Sequence, residues 1–154
     1  MKLSEHLDLA EVIRSESAKR RGISNMPTEE HIKNLKLIAE NVFEPIRINF
    51  RQPIRISSGY RSQSLNAAIG GATKSQHSSG EALDIDMEGS QINNKEIFNF
   101  IKEKINFDQL IWEFGTNNEP DWVHVSYSST GKQRKQVLRA IKEQGKTKYI
   151  PYAD

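Results

Sequence analysis

The sequence predicts a single α+β domain in which helices flank a small, mostly antiparallel sheet. The chain of 154 residues is long enough for one domain with a hydrophobic core. Segments with apolar side chains at helical spacing alternate with short strand-like segments, and residues 82–87 alternate apolar and polar side chains with period two. No internal repeat or low-complexity linker divides the chain. We therefore treat residues 1–154 as one domain.

The N-terminal segment, about residues 1–50, is predicted to be helical. Residues 7–21 carry a weak apolar stripe and form the first predicted helix. A second helix begins at Thr28, which can cap its first turn, and ends before Pro45. Its apolar stripe consists of Ile32, Leu35, Ile38, Ala39, Val42 and Phe43.

The central segment, about residues 51–130, contains most of the predicted strands. We expect strands at residues 54–61, 82–87, 109–114 and 122–127, helices at 64–69 and 91–105, and a Ser- and Gly-rich loop at 73–80. The C-terminal segment, about residues 131–154, is basic. Its first part, residues 131–143, is predicted to form a closing helix.

Composition excludes several classes of protein. Because the chain has no cysteine, it has no disulfide, thiolate zinc site or cysteine nucleophile, so a transition-metal site must use imidazole and carboxylate. The net charge of +2 gives no reason to expect a nucleic-acid partner, and no apolar stretch could span a bilayer. The N-terminus lacks a signal-peptide pattern. We expect a monomer made in the cytoplasm and released by a separate pathway.

Strand parity brings an acid and a histidine to one side of the predicted sheet. Successive side chains of a strand point to opposite faces. Asp84 lies opposite the apolar face of residues 82–87, and His124 lies opposite the apolar face of residues 122–127. If both strands belong to one sheet, these two side chains converge. His77 lies in the preceding loop, which can fold over the same face.

Two imidazoles and one carboxylate with a vacant fourth position are typical of a catalytic zinc site. Hydrolysis at such a site also requires a general base. Asp121, three residues before His124, is the first candidate, and Glu113 on the neighbouring predicted strand is the alternative. Arg61 can stabilise an oxyanion or bind a substrate carboxylate.

Three sequence motifs resemble those of the zinc D-Ala-D-Ala peptidase family. Residues 75–84, Ser-Gln-His-Ser-Ser-Gly-Glu-Ala-Leu-Asp, resemble its Ser-x-His-x-x-Gly-x-Ala-x-Asp signature. Residues 121–124, Asp-Trp-Val-His, are similar to its acid-x-x-His motif, and residues 58–61, Ser-Gly-Tyr-Arg, match its arginine turn. The likeness extends over about residues 54–127. The family contains D-Ala-D-Ala carboxypeptidases and dipeptidases and phage L-alanyl-D-glutamate endopeptidases.

This resemblance implies a Hedgehog/DD-peptidase-like fold with a bound Zn²⁺. The implied zinc ligands are His77, Asp84 and His124. Asp121 would then be the catalytic acid and base, and Arg61 would stabilise developing charge. Ser75, Gln76 and Trp122 are the candidate substrate contacts.

The predicted function is zinc-dependent hydrolysis of a peptide bond in the stem peptide of peptidoglycan. The motifs do not separate a D-Ala-D-Ala carboxypeptidase from an L-Ala-D-Glu endopeptidase. The expected context is a phage or prophage lysin that acts on the cell wall. The alternative is a non-catalytic module that binds the wall or a partner protein and retains the fold.

Overall fold

The computed structural model describes residues 1–153 and has the predicted α+β architecture. The helices are α1 (Leu9–Ile13), α2 (Glu16–Arg21), α3 (Glu29–Ile38), α4 (Glu44–Phe50), α5 (Gln63–Ala68) and α6 (Asn94–Lys104). A π-helical turn (Ala39–Phe43) joins α3 to α4, and a 3₁₀ helix (Gln76–Ser79) precedes the fourth strand. The strands are β1 (Lys2–Ser4), β2 (Leu7–Asp8), β3 (Ile56–Ser58), β4 (Ala82–Ile85), β5 (Gln109–Glu113), β6 (Trp122–Ser126), β7 (Gln136–Glu143) and β8 (Lys146–Pro151).

The main sheet has six strands in the order β3-β4-β6-β5-β7-β8. Every neighbouring pair is antiparallel except β5 and β7, which run parallel. β1 and β2 form a separate two-stranded sheet. The predicted fold class is therefore confirmed, but the sheet is larger and more mixed than the small antiparallel sheet that the sequence suggested.

One face of the main sheet packs into the hydrophobic core. The core-facing side chains of β4, β5 and β6 are almost fully buried: Leu83, Ile85, Leu110, Trp112, Val123 and Val125. Helix α6 covers them with Ile97, Phe98 and Ile101, none of which is exposed. Because α6 and its neighbours occupy this face, the opposite face of the central strands is left for polar side chains.

The N-terminal segment is more broken than predicted. Instead of one helix over residues 7–21, Leu7 and Asp8 pair with β1, and two short helices follow. The side chain of Asp8 accepts a hydrogen bond from Ala10 N–H, and that of Ser15 accepts one from Ala18 N–H. Each cap starts a new helix, so the chain turns where a weak apolar stripe alone indicated continuity.

The second predicted helix starts as expected but does not end before Pro45. Thr28 caps α3 by accepting a hydrogen bond from His31 N–H at 3.2 Å. The π-helical turn widens the helix before Pro45, and Glu44 N–H donates to Ala39 O, five residues back. Proline normally clashes with the carbonyl one turn earlier. The wider turn accommodates Pro45 in the first turn of α4, so the chain stays helical to Phe50.

The predicted closing helix over residues 131–143 is wrong. This part of the chain contains β7, which forms a hairpin with β8. Gln144 and Gly145 both have positive φ, 52° and 78°, and form the two-residue turn between Glu143 and Lys146. Such a turn matches the twist of a hairpin, and β7 completes its hydrogen bonding by pairing with β5. The final residue of the predicted basic segment, Asp154, lies outside the described residues.

Among residues 1–153, no helix combines the length and apolar composition needed to cross a bilayer.

Replacing Leu35 by alanine should strongly destabilise the fold. Leu35 is completely buried on α3, so the substitution leaves a cavity and should lower the free energy of unfolding by about 2–5 kcal/mol. Leu37→Ala is the matched control, because Leu37 lies on the same helix but is 37% exposed. It should cost less than about 1 kcal/mol in urea denaturation. Equal losses in the two variants would contradict this packing.

Candidate metal centre

Asp84 and His124 are direct neighbours across two paired strands. They are register partners of β4 and β6, so their side chains emerge together on the face opposite the core. Nδ1 of His124 lies 3.0 Å from Oδ1 of Asp84. Both residues are buried, each 9% exposed. The convergence expected from strand parity is present.

His77 comes from the 3₁₀ helix inside the predicted loop. Ser75 caps this helix by accepting a hydrogen bond from His77 N–H at 3.2 Å. Two further bonds tie His77 to the Ser-Gly-Tyr-Arg turn: its Nδ1 contacts Gly59 O at 2.6 Å, and its carbonyl accepts from Arg61 N–H at 3.1 Å. The turn and the histidine loop are therefore one unit.

Gly59 is required in that turn by close packing. A Cβ atom at this position would lie 2.5 Å from the carbonyl oxygen of Val12 in α1. Tyr60 N–H donates to that same oxygen at 2.7 Å, which holds the turn against α1. The close approach of the two backbones explains why this motif contains glycine.

Three electron-rich atoms meet at this site. Because a carbonyl oxygen only accepts, the hydrogen of His77 is on Nδ1, and Nε2 of the neutral ring keeps a lone pair. That Nε2 faces Oδ1 of Asp84 at 3.2 Å. One ligand atom each from His77, Asp84 and His124 lies within 4.8 Å of the others. A metal cation between these atoms, or a hydrogen on one of the facing nitrogens, stabilises such a convergence.

Asp84 itself is ionised. Burial alone raises the pKa of a carboxyl group, yet the adjacent imidazoles of His77 and His124 hold the pKa of Asp84 well below its usual value. Asp84 is therefore a buried carboxylate anion. Two imidazoles and one carboxylate, with their remaining side open to a cavity, fit Zn²⁺ in a site that leaves a position for substrate.

A second cluster of potential metal ligands is not buried as the first one is. Glu5, His6 and Glu44 lie near the N-terminal hairpin, where Glu5 and His6 are exposed. The Glu44 carboxylate already accepts hydrogen bonds from Ser4 Oγ at 2.5 Å and His6 N–H at 2.8 Å. These bonds fasten the hairpin to α4.

The three convergent side chains open into a cavity of about 870 Å³. Arg61 and Glu113 also line it. Nε of Arg61 is buried without a hydrogen-bond partner among the described residues. Glu113 is the last residue of β5 and is only 7% exposed. Burial raises its pKa to about 7, although the charges of His124 and Arg61 oppose the rise.

The two candidate bases, Asp121 and Glu113, differ in burial and in their position relative to the cavity. Asp121 is exposed and does not line the cavity. Its backbone N–H donates to Glu113 O at 2.9 Å, and its carbonyl accepts from the side chain of Asn94 at 3.0 Å. These bonds hold the turn before β6. Glu113, by contrast, lies on the same sheet face as His124.

The candidate substrate contacts Ser75, Gln76 and Trp122 all line the cavity. Ser75 is engaged as a helix cap, and Gln76 forms hydrogen bonds to His124 and Asp108. Trp122 is the register partner of Glu113 and is partly exposed. Their contacts with substrate stay predictions.

Sequence reasoning missed one wall of the cavity because it missed the β7–β8 hairpin. The hairpin contributes Leu138, Thr147 and Tyr149 to the lining. Glu113, Ala140 and Tyr149 lie in one row across β5, β7 and β8, with the small Ala140 in the middle. Partial burial and the carboxylates of Glu113 and Asp84 raise the pKa of Tyr149. The Gln144-Gly145 turn was the sequence signal for this hairpin.

Comparison with known families agrees with this geometry. The family model described as Peptidase M15 matches residues 5–126, which is more than half of the chain. The matched range contains all three convergent side chains as well as Arg61 and Glu113. It ends before the β7–β8 hairpin. No curated protein matches the chain.

The burial of Glu113 should appear in the stability of the metal-free protein. Between its ordinary pKa of 4.5 and the raised value near 7, folded protein keeps a proton that unfolded protein has lost. The free energy of unfolding should therefore fall as pH rises through this window. Glu113→Gln cannot ionise, so it should exceed wild type by on the order of 3 kcal/mol above pH 7 and by little near pH 4.

Denaturant unfolding from pH 4 to pH 8 measures this difference. Glu103→Gln, an exposed acid on α6, is the control and should follow wild type. If Glu113→Gln also follows wild type at every pH, the carboxyl group is not desolvated as described.

Proposed function

Because the chain belongs to the Peptidase M15 family of zinc-dependent peptidases, we propose that it hydrolyses a peptide bond in the stem peptide of peptidoglycan. The observation that carries this proposal is the cavity itself. It joins a His-Asp-His ligand set to a buried acid, Glu113, and a cation, Arg61. Its volume is in the range of sites that enclose small ligands, such as a few residues of peptide.

His77, Asp84 and His124 would hold the zinc ion. When bound, Zn²⁺ supplies a Lewis acid that polarises a carbonyl group and makes water acidic. The protein contributes a buried site, so the charge of Asp84 is not screened by bulk water.

Glu113 is proposed as the general base and acid. Its carboxylate takes a proton from water as the water oxygen bonds to the carbonyl carbon of the substrate. It then gives that proton to the amide nitrogen as the carbon–nitrogen bond breaks. A pKa near 7 suits a group that must both accept and release a proton near neutral pH. Asp121 has a different position, at the solvent-exposed turn before β6.

Arg61 is proposed to stabilise negative charge. Its main-chain N–H donates a hydrogen bond to His77 O. This bond holds the backbone of Arg61 next to a candidate metal ligand. Arg61 lines the cavity, so its guanidinium can donate to the oxyanion that forms during hydrolysis or to a carboxylate of the substrate. An uncharged residue here would leave either negative charge unpaired in a partly desolvated cavity.

The nature of the scissile bond and the biological setting belong to this proposal as well. A D-Ala-D-Ala carboxypeptidase and an L-Ala-D-Glu endopeptidase both act on stem peptides, and a phage or prophage lysin would meet them in the cell wall. The non-catalytic alternative has less support, because a wall-binding module needs neither a buried acid such as Glu113 nor a cation such as Arg61 beside the ligand set.

Two acid-to-amide variants should separate the roles of the candidate bases. Glu113→Gln should retain zinc and lose about 10²–10⁴-fold in kcat, because it cannot carry the proton. Asp121→Asn should retain zinc and most of the turnover. Single-turnover rates and metal content measure both properties. Slow turnover by Asp121→Asn together with near-normal turnover by Glu113→Gln would assign the role to Asp121 instead.

Metal analysis and digestion of peptidoglycan test the function itself. Purified protein should hold about one equivalent of zinc, and His124→Ala should lose both zinc and activity. Mass spectrometry of the digest should show either released D-Ala or fragments cut between L-Ala and D-Glu. Protein that takes up no zinc would contradict the metal site. Intact stem peptides after treatment with zinc-loaded protein would contradict the proposed substrate.

A further inference from the structure

A chain of hydrogen bonds runs behind the ring of His124, on the side away from Asp84. Oε1 of Gln76 lies 3.3 Å from Nε2 of His124. Nε2 of the same Gln76 amide donates to Oδ2 of Asp108 at 3.2 Å. Asp108 is bound in turn by Arg134, 26 residues along the chain. Three side chains, Arg134, Asp108 and Gln76, thus connect the surface of the molecule to one candidate metal ligand.

The outer end of this chain is strongly fixed. Asp108 lies just before β5 and is 5% exposed. Its Oδ1 accepts from the backbone N–H and from Nε of Arg134, both at 3.0 Å, and its Oδ2 accepts from Nη2 of Arg134 at 2.8 Å. The hydrogen bonds from Arg134 hold the pKa of Asp108 below its usual range, so Asp108 is an acceptor only.

This acceptor determines which way the Gln76 amide points. A carboxylate cannot donate a hydrogen, so the NH₂ group of Gln76 must face Asp108 and its oxygen must face His124. An amide oxygen also only accepts. Nε2 of His124 must therefore be the nitrogen that carries a hydrogen. The lone pair of the neutral ring is then on Nδ1, which is the nitrogen that faces Asp84.

We propose that Gln76 and Asp108 are positioning residues that keep a hydrogen on Nε2 of His124 and so leave Nδ1 free to bind the metal. This proposal rests on the zinc site of the proposed function and adds residues that no family motif requires. Neighbours of this kind orient a metal-bound histidine and set its tautomer. Gln76, named above as a candidate substrate contact, thus has a role inside the site.

The two histidines need different supports because they present different nitrogens. His77 offers Nε2, and a main-chain carbonyl at Gly59 is enough to hold the hydrogen on Nδ1. His124 is part of a strand, and its Nε2 points away from β4 toward the 3₁₀ helix. There the acceptor is a side-chain amide, which could turn over. Asp108 supplies the constraint that keeps it in one orientation.

Asp108→Asn is the sharpest test, because it keeps the shape of the side chain. Each oxygen of Asp108 receives two donors, and of these donors only the Gln76 amide on Oδ2 can turn over to become an acceptor. The asparagine oxygen should therefore occupy the Oδ1 position, and its NH₂ group should face Gln76. The Gln76 amide should then turn over and present its own NH₂ group to His124. The variant should therefore place the lone pair of the ring on Nε2, which is the wrong nitrogen for the metal.

Two measurements on folded protein are compared. In metal-free protein near pH 8, nitrogen-15 NMR should find a hydrogen on Nε2 of His124 in wild type and none there in Asp108→Asn. Chelator competition should give about 10–100-fold weaker zinc binding for Asp108→Asn and for Gln76→Leu, which removes the acceptor altogether. Neither readout depends on the activity of the loaded enzyme.

Glu143→Gln is the matched control. It makes the same carboxylate-to-amide change in an ion pair with Lys148 on the same hairpin, but that pair is exposed. Zinc binding should stay within about twofold of wild type, because exposed pairs contribute little. Should Asp108→Asn fail to fold, Gln76→Leu decides through the affinity measurement alone.

Wild-type zinc affinity in folded Asp108→Asn, or in Gln76→Leu, overturns the proposal. An unchanged hydrogen on Nε2 in folded Asp108→Asn overturns it as well. Either result with a zinc-binding wild type leaves the proposed function intact. A wild-type protein that binds no zinc contradicts the proposed function instead.

Discussion

The buried carboxylate of Asp84 is the constraint on which the rest of the site depends. A charged group with little access to water is costly unless its surroundings compensate the charge. Here His77 and His124 both lie within 3.2 Å of the same carboxylate oxygen, so a cation bound between the three side chains would compensate the charge. Each imidazole is held by an acceptor on the side away from Asp84, Gly59 O for His77 and the Gln76 amide oxygen for His124. These two hydrogen bonds orient the rings so that a ligand nitrogen of each faces the anion.

The fold supplies these contacts by dividing the central strands into two faces. Residues on one face of β4 and β6 pack beneath α6, which leaves the other face to Asp84 and His124. The first histidine is brought to that face by a turn packed against α1, where Gly59 permits the close approach. Core packing and site geometry are thus determined by the same strand register, and a slip of one residue would disrupt both.

The sequence predicted the parts of the site that depend on local pattern. Asp84 and His124 followed from strand parity, whereas His77 rested on a motif because no regular element constrained its loop. Parity could not place Asp121, since a turn has no fixed alternation. The role of Asp108 could not be read from the chain, because its contact with Arg134 exists only after β7 has paired with β5. Long-range pairing of this kind leaves no periodic trace in the sequence.

The position of β8 at the sheet edge gives the basic C-terminal segment a further meaning. An edge strand exposes unpaired backbone groups to which a strand of another molecule could add, and this is a common route to aggregation. β8 carries Lys146 and Lys148, and it ends at Pro151, which has no N–H to donate. These residues make the edge a poor template for another strand. The lysines can thus be understood as protection against edge-to-edge pairing with another strand.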